Sequence, residues 1–448
     1  MRHISLLCGN GEKDYRFCDT ENVMKAFVAI LFSALCCSAE VHTMTLRQAL
    51  DLALNQNPDL ILARLDQQKA REQVTEARDP FVPKVFAGSG AAWTNGFPMA
   101  IDGNAPAIVQ AKTNMAIFNR PQSYQIAKAN EGARAAEIGV ASRQDEVAYR
   151  VATLFLDAEQ ASQSLGAAER QAGNLTRVRE LTQARVDEGR ILALESKKAN
   201  LAVLRARQRV EQLTTDLIQA ETSLALVLGL PPDDRVRAAA EERLALTMPE
   251  SEERSIEQAL DGSRELRRLE SELQMKALEI RGFQAERLPK INLIAQWAML
   301  GKYNNYQDYF TRFKRSNWEL GALFEIPLVA GRAASALAAQ SEADSAKLRV
   351  EVARTRSRIT ADLRRGYQEI RRAETGRDVA RADLDVAREE LGIGIAQMDE
   401  GRLTLARVEE MRATENEKWL AYYSAQHAVD MARLNVLRQS GSLVATLR

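Results

Sequence analysis

Arg377, Asp378, Arg381, Asp383 and Asp385 place five charges within nine consecutive positions of a run with helical character. Such groups pair with one another or attract cations. On a solvated helix the simplest outcome is i,i+4 pairing, for example of Arg381 with Asp385. Lys112, Glu319 and Glu325 form a second set, each inside a segment where apolar and polar residues alternate. Neither set has the makings of covalent chemistry. The chain holds no G-x-S-x-G, no phosphate-cradling loop and no cluster with metal-ligand spacing. His3, His42 and His427 are far apart in sequence and offer no ligand set. The expectation is a protein that is not an enzyme and needs no cofactor or metal.

Long elements have to hold these charges. In 448 residues, 61 Lys and Arg balance 61 Asp and Glu, which leaves no basic excess for nucleic acid. Only 11 prolines and 6% aromatics, beside abundant Ala, Leu, Glu and Arg, favour long helices. All four cysteines, Cys8, Cys18, Cys36 and Cys37, fall in the first 37 residues. They straddle a segment with the features of a secretory signal: Met24-Lys25, an apolar run from Ala26 to Leu35, then Cys37-Ser38-Ala39. Residues 24–39 are read as a signal peptide and 1–23 as a non-native or extended N-terminus. A lipid anchor on Cys36 or Cys37 stays open, although Leu35 stands where a small residue is expected. The apolar run is too short to span a membrane as a helix.

A phrase occurs twice. Val186-Asp187-Glu188-Gly189-Arg190-Ile191 returns 212 residues later (398 − 186) as Met398-Asp399-Glu400-Gly401-Arg402-Leu403. Each copy precedes a helical run that ends in glycine, at Gly229 and Gly441. Chance alignment of Ala/Arg/Leu-rich coils is the alternative to duplication of a whole half. Duplication is favoured, because non-helical segments recur too. The first repeat spans 40–232, a polar, proline-marked connector 233–253, and the second repeat 254–448.

Each repeat opens with paired helices. Thr45 caps a stripe of Leu46, Ala49, Leu50 and Ala53, Asn57-Pro58 breaks it, and a second helix runs from Asp59 to Arg78. Ser255–Leu260 and a helix from Glu265 to Glu286 match them. At Pro83-Lys84 and Pro289-Lys290 the apolar period changes to two. Ile291, Leu293, Ala295, Trp297 and Met299 alternate with Asn292 and Gln296, and Trp318, Leu320, Ala322, Phe324 and Ile326 with Glu319, Gly321 and Glu325. The first repeat is fainter, with Val109–Ile117 following a Gly/Pro/Asn loop at 95–106 and a least regular strand at 84–94 closed by Trp93. Two β-hairpins are expected, 84–118 and 290–327. A soluble half-buried sheet and a membrane-spanning one share this alternation; Lys112, Glu319 and Glu325 all on the polar face favour a wet lumen and a lipid-facing opposite side.

Beyond each hairpin lies a long helical hairpin, 123–228 and 333–439. The first is expected to run out over Ser123–Ser164 and back over Ala167–Leu228, the second over Ala333–Thr375 and Arg377–Gln439. The return arms carry heptads: Val203, Val210, Leu217 and Leu224, with Ala206, Leu213, Ala220 and Val227, and in the second repeat Tyr422, Val429 and Val436 with Ala425 and Ala432. Ser164, Gly166, Thr375 and Gly376 are read as low-bulk tips, either docking points for another protein's helices or simple turns. The fold class is mainly α with a small β part, a twofold internal repeat with four strands.

The order of these pieces resembles the TolC-like outer-membrane efflux protein family. The resemblance rests on Thr45–Leu60, on Pro83-Lys84 and Leu288-Pro289-Lys290, and on Phe324-Glu325-Ile326-Pro327-Leu328 with Gly331-Arg332. It rests also on the two Asp-Glu-Gly-Arg turns and on Leu228-Gly229-Leu230-Pro231-Pro232, and it covers about 44–448. Phe118-Asn119-Arg120-Pro121 departs from the second repeat's Ala330-Gly331-Arg332-Ala333. The resemblance implies a homotrimer, with a twelve-stranded β-barrel in the outer membrane continued by an α-barrel in the periplasm. Four strands with two open edges need partners in any case, because unpaired backbone in lipid is costly.

The leading expectation is an outer-membrane channel of a tripartite efflux system, a passive exit duct for small toxic compounds. It would dock on a periplasmic adaptor (membrane fusion protein) and an inner-membrane pump. Under trimer symmetry Arg377, Asp378, Arg381, Asp383 and Asp385 would form rings, a candidate periplasmic gate. The alternatives are a channel for type I protein secretion and, in a different class, a soluble periplasmic coiled-coil adaptor or scaffold. Met275, Met299, Met398, Met411 and Met431 form no cluster that would suggest copper.

Overall fold

The computed structural model describes residues 40–90, 107–239, 248, 251–300, 314, 316–328 and 331–447. The expected leader with its four cysteines, Trp93, the 95–106 loop, the middle of the connector and the Tyr-rich stretch from Gly301 lie outside the described residues.

Strand β1 (Val41–Met44) leads into α1 (Leu46–Gln56) and α2 (Pro58–Arg78). The Thr45 hydroxyl accepts from the Gln48 backbone N–H, and the Gln48 side chain accepts from the Thr45 N–H, so two orphan donors of α1 are satisfied reciprocally. Asn57 ends α1 and caps α2, accepting from Asp59 and Leu60, with Pro58 at the first helical position. After a single 3₁₀ turn come β2 (Lys84–Gly90) and β3 (Ala107–Phe118), then α3 (Arg120–Asp187) and α4 (Ala193–Leu228). The second repeat follows a short β4 (Arg235–Ala238): α5 (Glu252–Gly262), α6 (Arg264–Ala285), β5 (Lys290–Leu300), β6 (Ser316–Glu325), α7 (Ala333–Asp399) and α8 (Leu405–Ser440). A five-residue α9 (Leu443–Leu447) ends the described chain.

The two expected β-hairpins do not stand apart. Strand β3 pairs with β5, which merges them into one antiparallel sheet in the order β2-β3-β5-β6. Strands β1 and β4 pair in parallel, a link between repeats that four-residue segments without alternation do not announce.

The helical hairpins correct the expected arms. Helix α3 runs unbroken for 68 residues and α7 for 67, each on the order of 100 Å at about 1.5 Å per residue. Their return helices are 36 residues each. Ser164, Gly166, Thr375 and Gly376 therefore lie inside helices and not at tips. Reversal needs a residue at positive φ, and Gly189 (φ 71°) and Gly401 (φ 75°) provide it, with Gly229 and Gly441 doing the same at the return ends. Ser164 is instead buried, where a small side chain allows neighbouring helices to approach.

The core sits at mid-length of α3. Leu50, Val151, Leu228, Leu434 and Leu443 are buried together, drawing on α1, α3, α4, α8 and α9. Each such side chain contributes about 1.5–3 kcal/mol relative to exposure. A smaller cluster, Ala259, Leu363, Ile370, Ala432 and Val436, occupies the matching place in the second repeat. Gly229 closes against α1: a Cβ there would meet the Gln56 carbonyl oxygen at 2.8 Å.

Candidate functional site: a two-faced sheet, open edges and hairpin ends

In an antiparallel sheet directly paired residues share a face. Lys112 pairs with Gln296, which pairs with Glu319, so these three polar groups form one row across β3, β5 and β6. Lys290 and Glu325 pair on the same face, with Asn114, Asn292 and Asn317 in neighbouring rows; Phe86, Ala116, Ile294, Ala298 and Leu323 are among its apolar members. The three strand charges expected to lie together do lie on one side.

The opposite face is apolar and carries aromatics at both ends. Phe118, Ile291 and Phe324 form the row nearest the helices, and Ala111, Trp297 and Trp318 one far from them. Ile291 and Trp297 are six residues apart on β5, about 20 Å of strand rise. Trp318 is 75% exposed and Leu320 64%, so this face is uncovered in a single chain. Outer-membrane-type barrels carry an outward-facing apolar band about 25 Å tall flanked by aromatic girdles.

The edges of sheet and helices correspond. Strands β2 and β6 are the outer strands. Among the long helices, α4 packs on α3, α3 on α8 and α8 on α7, so α4 and α7 are the outer ones. One side of the chain thus belongs to the first repeat in both layers, and the other to the second. The outer helices carry exposed apolar side chains at heptad spacing: Leu194 and Leu201 on α4, Val379, Val386 and Ile393 on α7.

The ionic run lies along α7, well short of its turn. Asp383 accepts from Lys418 of α8 at 2.6 Å. Arg377 pairs with Asp378 at 2.7 Å, and this hydrogen bond raises the guanidinium further above its ordinary value. Asp385 pairs with Arg388 at 3.9 Å instead of the expected Arg381, which is exposed. Arg388 also lies over the Trp419 ring at 4.4 Å. Asp383 and Arg388 tie α7 to α8, while Arg377 with Asp378 and Asp385 with Arg388 pair along α7 itself.

The hairpin ends are alike. At the first, the Arg190 N–H donates to the Arg185 carbonyl at 2.9 Å, and the Arg190 side chain folds onto Glu188 at 3.1 Å. At the second, the Arg402 N–H donates to the Gln397 carbonyl at 2.8 Å, and Arg402 meets Glu400 at 3.2 Å. The signal that identifies these turns, a repeated Asp-Glu-Gly-Arg, was present in the sequence.

The architecture is a small sheet continued by long helical hairpins. Residues 49–230 match the family model described as outer membrane efflux protein. The fold is similar to that of a membrane protein from Pseudomonas aeruginosa, with TM-score 0.73 at 16% identity over 88% of this chain and 90% of that one. It is similar also to the CmeC outer membrane channel of Campylobacter jejuni (0.69, 14%, 89% and 85%) and to the outer membrane protein VceC of Vibrio cholerae (0.71, 14%, 88% and 96%). No curated protein matches the sequence. The chain's resemblance to the TolC-like outer-membrane efflux proteins is thereby shown.

Proposed function

We propose that this chain is the outer-membrane channel of a tripartite efflux system, a passive duct that closes only as a ring of three copies. The observation that carries the reading is the pair of open edges, β2 with α4 on one side and β6 with α7 on the other. A head-to-tail contact joins the two edges, and repeated with rotation it closes a ring. Closure removes the unpaired strand edges, each of whose backbone groups would cost several kcal/mol in lipid. The apolar face with its two aromatic rows then meets the outer membrane, and the Lys112–Gln296–Glu319 row meets water.

The helices extend the duct into the periplasm, toward an adaptor and an inner-membrane pump. The ends that meet the adaptor are the turns at Gly189 and Gly401. In the ring, Arg377, Asp378, Arg381, Asp383 and Asp385 are repeated threefold and act as a cation-selecting constriction. Type I secretion uses the same duct, and the pump decides between the two.

Detergent extraction from outer membranes followed by native mass measurement tests the reading. Three copies in a detergent-dependent complex are expected. A monomer that stays in aqueous buffer without detergent would sink it in favour of a soluble periplasmic scaffold. Identification of the co-purifying pump separates small-molecule efflux from polypeptide secretion.

A further inference from the structure

We propose that the cavity where the two hairpins meet, bounded by α3, α7 and α8, is a binding site for a small zwitterion of amino-acid type. Glu409 takes the ammonium and Arg170 the carboxylate. The cavity holds about 210 Å³. Pockets for drug-sized ligands run to about 300–1,000 Å³, so the occupant is smaller than those. All its walls come from one chain, so the site does not depend on the ring.

The acidic side is a half-used carboxylate. The Glu409 side chain is only 7% exposed, and Arg412, one turn along α8, donates to its Oε1 at 2.9 Å. Among the described residues Glu409 has no other hydrogen-bond or ion partner. An ionised carboxylate offers about four acceptor positions, so most of this one's capacity is left over on a side chain that lines the cavity. Burial pushes the Glu409 carboxyl up and Arg412 offsets this only in part. A second cation at the free oxygen supplies what the ionised form lacks.

The basic side belongs to the other hairpin. Arg170 and Asn174, four residues apart on one face of α3, both line the cavity. Among the described residues neither has a hydrogen-bond or ion partner. A guanidinium fork suits a carboxylate, and the amide beside it adds further donors.

The other lining groups are already engaged or are apolar. Asn416 donates to Gln171 at 2.7 Å, which closes one wall. The Trp419 ring stacks on Tyr423 at 5.3 Å and carries Arg388 at 4.4 Å, and its indole N–H donates to Glu415 at 3.1 Å. A ligand cation is therefore directed to Glu409 and not to the ring. Leu175 and Leu391 leave an apolar patch for a hydrocarbon side chain.

Charge balance sets the class of ligand. Arg170 and Arg412 match Glu409 and Glu415 in number, so the empty lining is neutral. An amine alone leaves Arg170 unpaired, and an acid alone leaves the spare oxygen of Glu409 unmet. A charge enclosed without a partner is costly. A zwitterion answers both.

Calorimetric titration of the detergent-solubilised full chain tests this with three compounds on one hydrocarbon skeleton: leucine, isopentylamine and 4-methylpentanoate. Leucine is expected to bind at least about tenfold more tightly than either of the others. Hydrogen bonds to charged groups set the scale for variants, and Arg170→Gln and Glu409→Gln are each expected to weaken leucine about 10–100-fold. Arg170 is exposed and Gln is close in shape to Glu409, so both variants keep the fold. Absence of leucine binding, or binding unchanged in either variant, would overturn the site. Isopentylamine or 4-methylpentanoate binding as tightly as leucine would overturn the zwitterion in favour of a simple amine or a simple acid.

Discussion

Gly189 and Gly401 hold the same left-handed backbone, φ 71° and 75°, at the same point of two arms 212 residues apart in sequence. A side chain at either would be held in a region that costs about 1–2 kcal/mol. Gly189→Val is expected to loosen its own turn by about that amount and to leave the Gly401 turn unchanged, and the reverse for Gly401→Val. Amide exchange at 186–192 and 398–404 reads both. Equal loosening of both turns by one substitution would show that the arms do not behave as separate copies.

The two faces of the sheet should answer differently to charge. Leu320 is on the apolar face and Glu319 on the polar one. Leu320→Arg is expected to cost about 2–4 kcal/mol in the membrane and to abolish the proposed three-copy complex in native mass measurement. Glu319→Gln should leave the oligomer intact. Loss of the oligomer with Glu319→Gln but not with Leu320→Arg would reverse the assignment of lipid and lumen.

Asp383 and Lys418 are both substantially exposed, so their 2.6 Å contact is worth little to stability. Reversing the charge of Asp383 together with Asp385 is expected to leave the melting temperature nearly unchanged. Single-channel conductance and cation preference in planar bilayers are expected to shift. Unaltered conductance and selectivity would remove these residues from any constriction.

Glu409 and Glu279 respond to pH with opposite sign. Burial raises the Glu409 carboxyl above its ordinary range, and Arg412 at 2.9 Å offsets this only in part. The folded chain then holds that proton more tightly than the unfolded one. Its stabilising contribution is present below the ordinary carboxylate range and is lost as pH rises through the raised value. At Glu279 burial also acts upward, but Lys128 at 2.8 Å and Lys276 at 3.6 Å outweigh it and hold the carboxyl low. That contribution is present above the ordinary range and is lost as pH falls. Near neutral pH, Glu409→Gln is expected to raise the melting temperature and Glu279→Gln to lower it, with both differences shrinking in acid. Calorimetry across pH checks this, and the opposite ranking would refute it.

Much of the fold was legible where a local rule and the hydrophobic period agree. Thr45 is read as a cap and caps α1, and Asn57-Pro58, read as a break, is one, with Asn57 also capping α2. The alternation in β5 and β6 gave the right residues on the right faces, because a period of two leaves no freedom in side-chain direction. The helical turns misled because small residues have two uses. Ser164 and Gly166 suggest a bend, yet in an Ala-rich helix they serve close packing. Only the handedness of Gly189 distinguishes a true reversal, and that is a backbone angle, invisible in residue size. The β3–β5 pairing was hidden for another reason: it joins residues 173 (291 − 118) to 193 (300 − 107) apart in segments that have no common pattern beyond being strands.

The near-equal lengths of α3 and α7, both ending in the same glycine knuckle, have a consequence for whatever meets them. The chain thus offers two look-alike bosses. In the proposed ring of three copies these bosses would make a sixfold rim, and a mate that recognises main-chain shape alone would find six seats there. Stoichiometry at that junction is then decided by the side chains in which the two bosses differ.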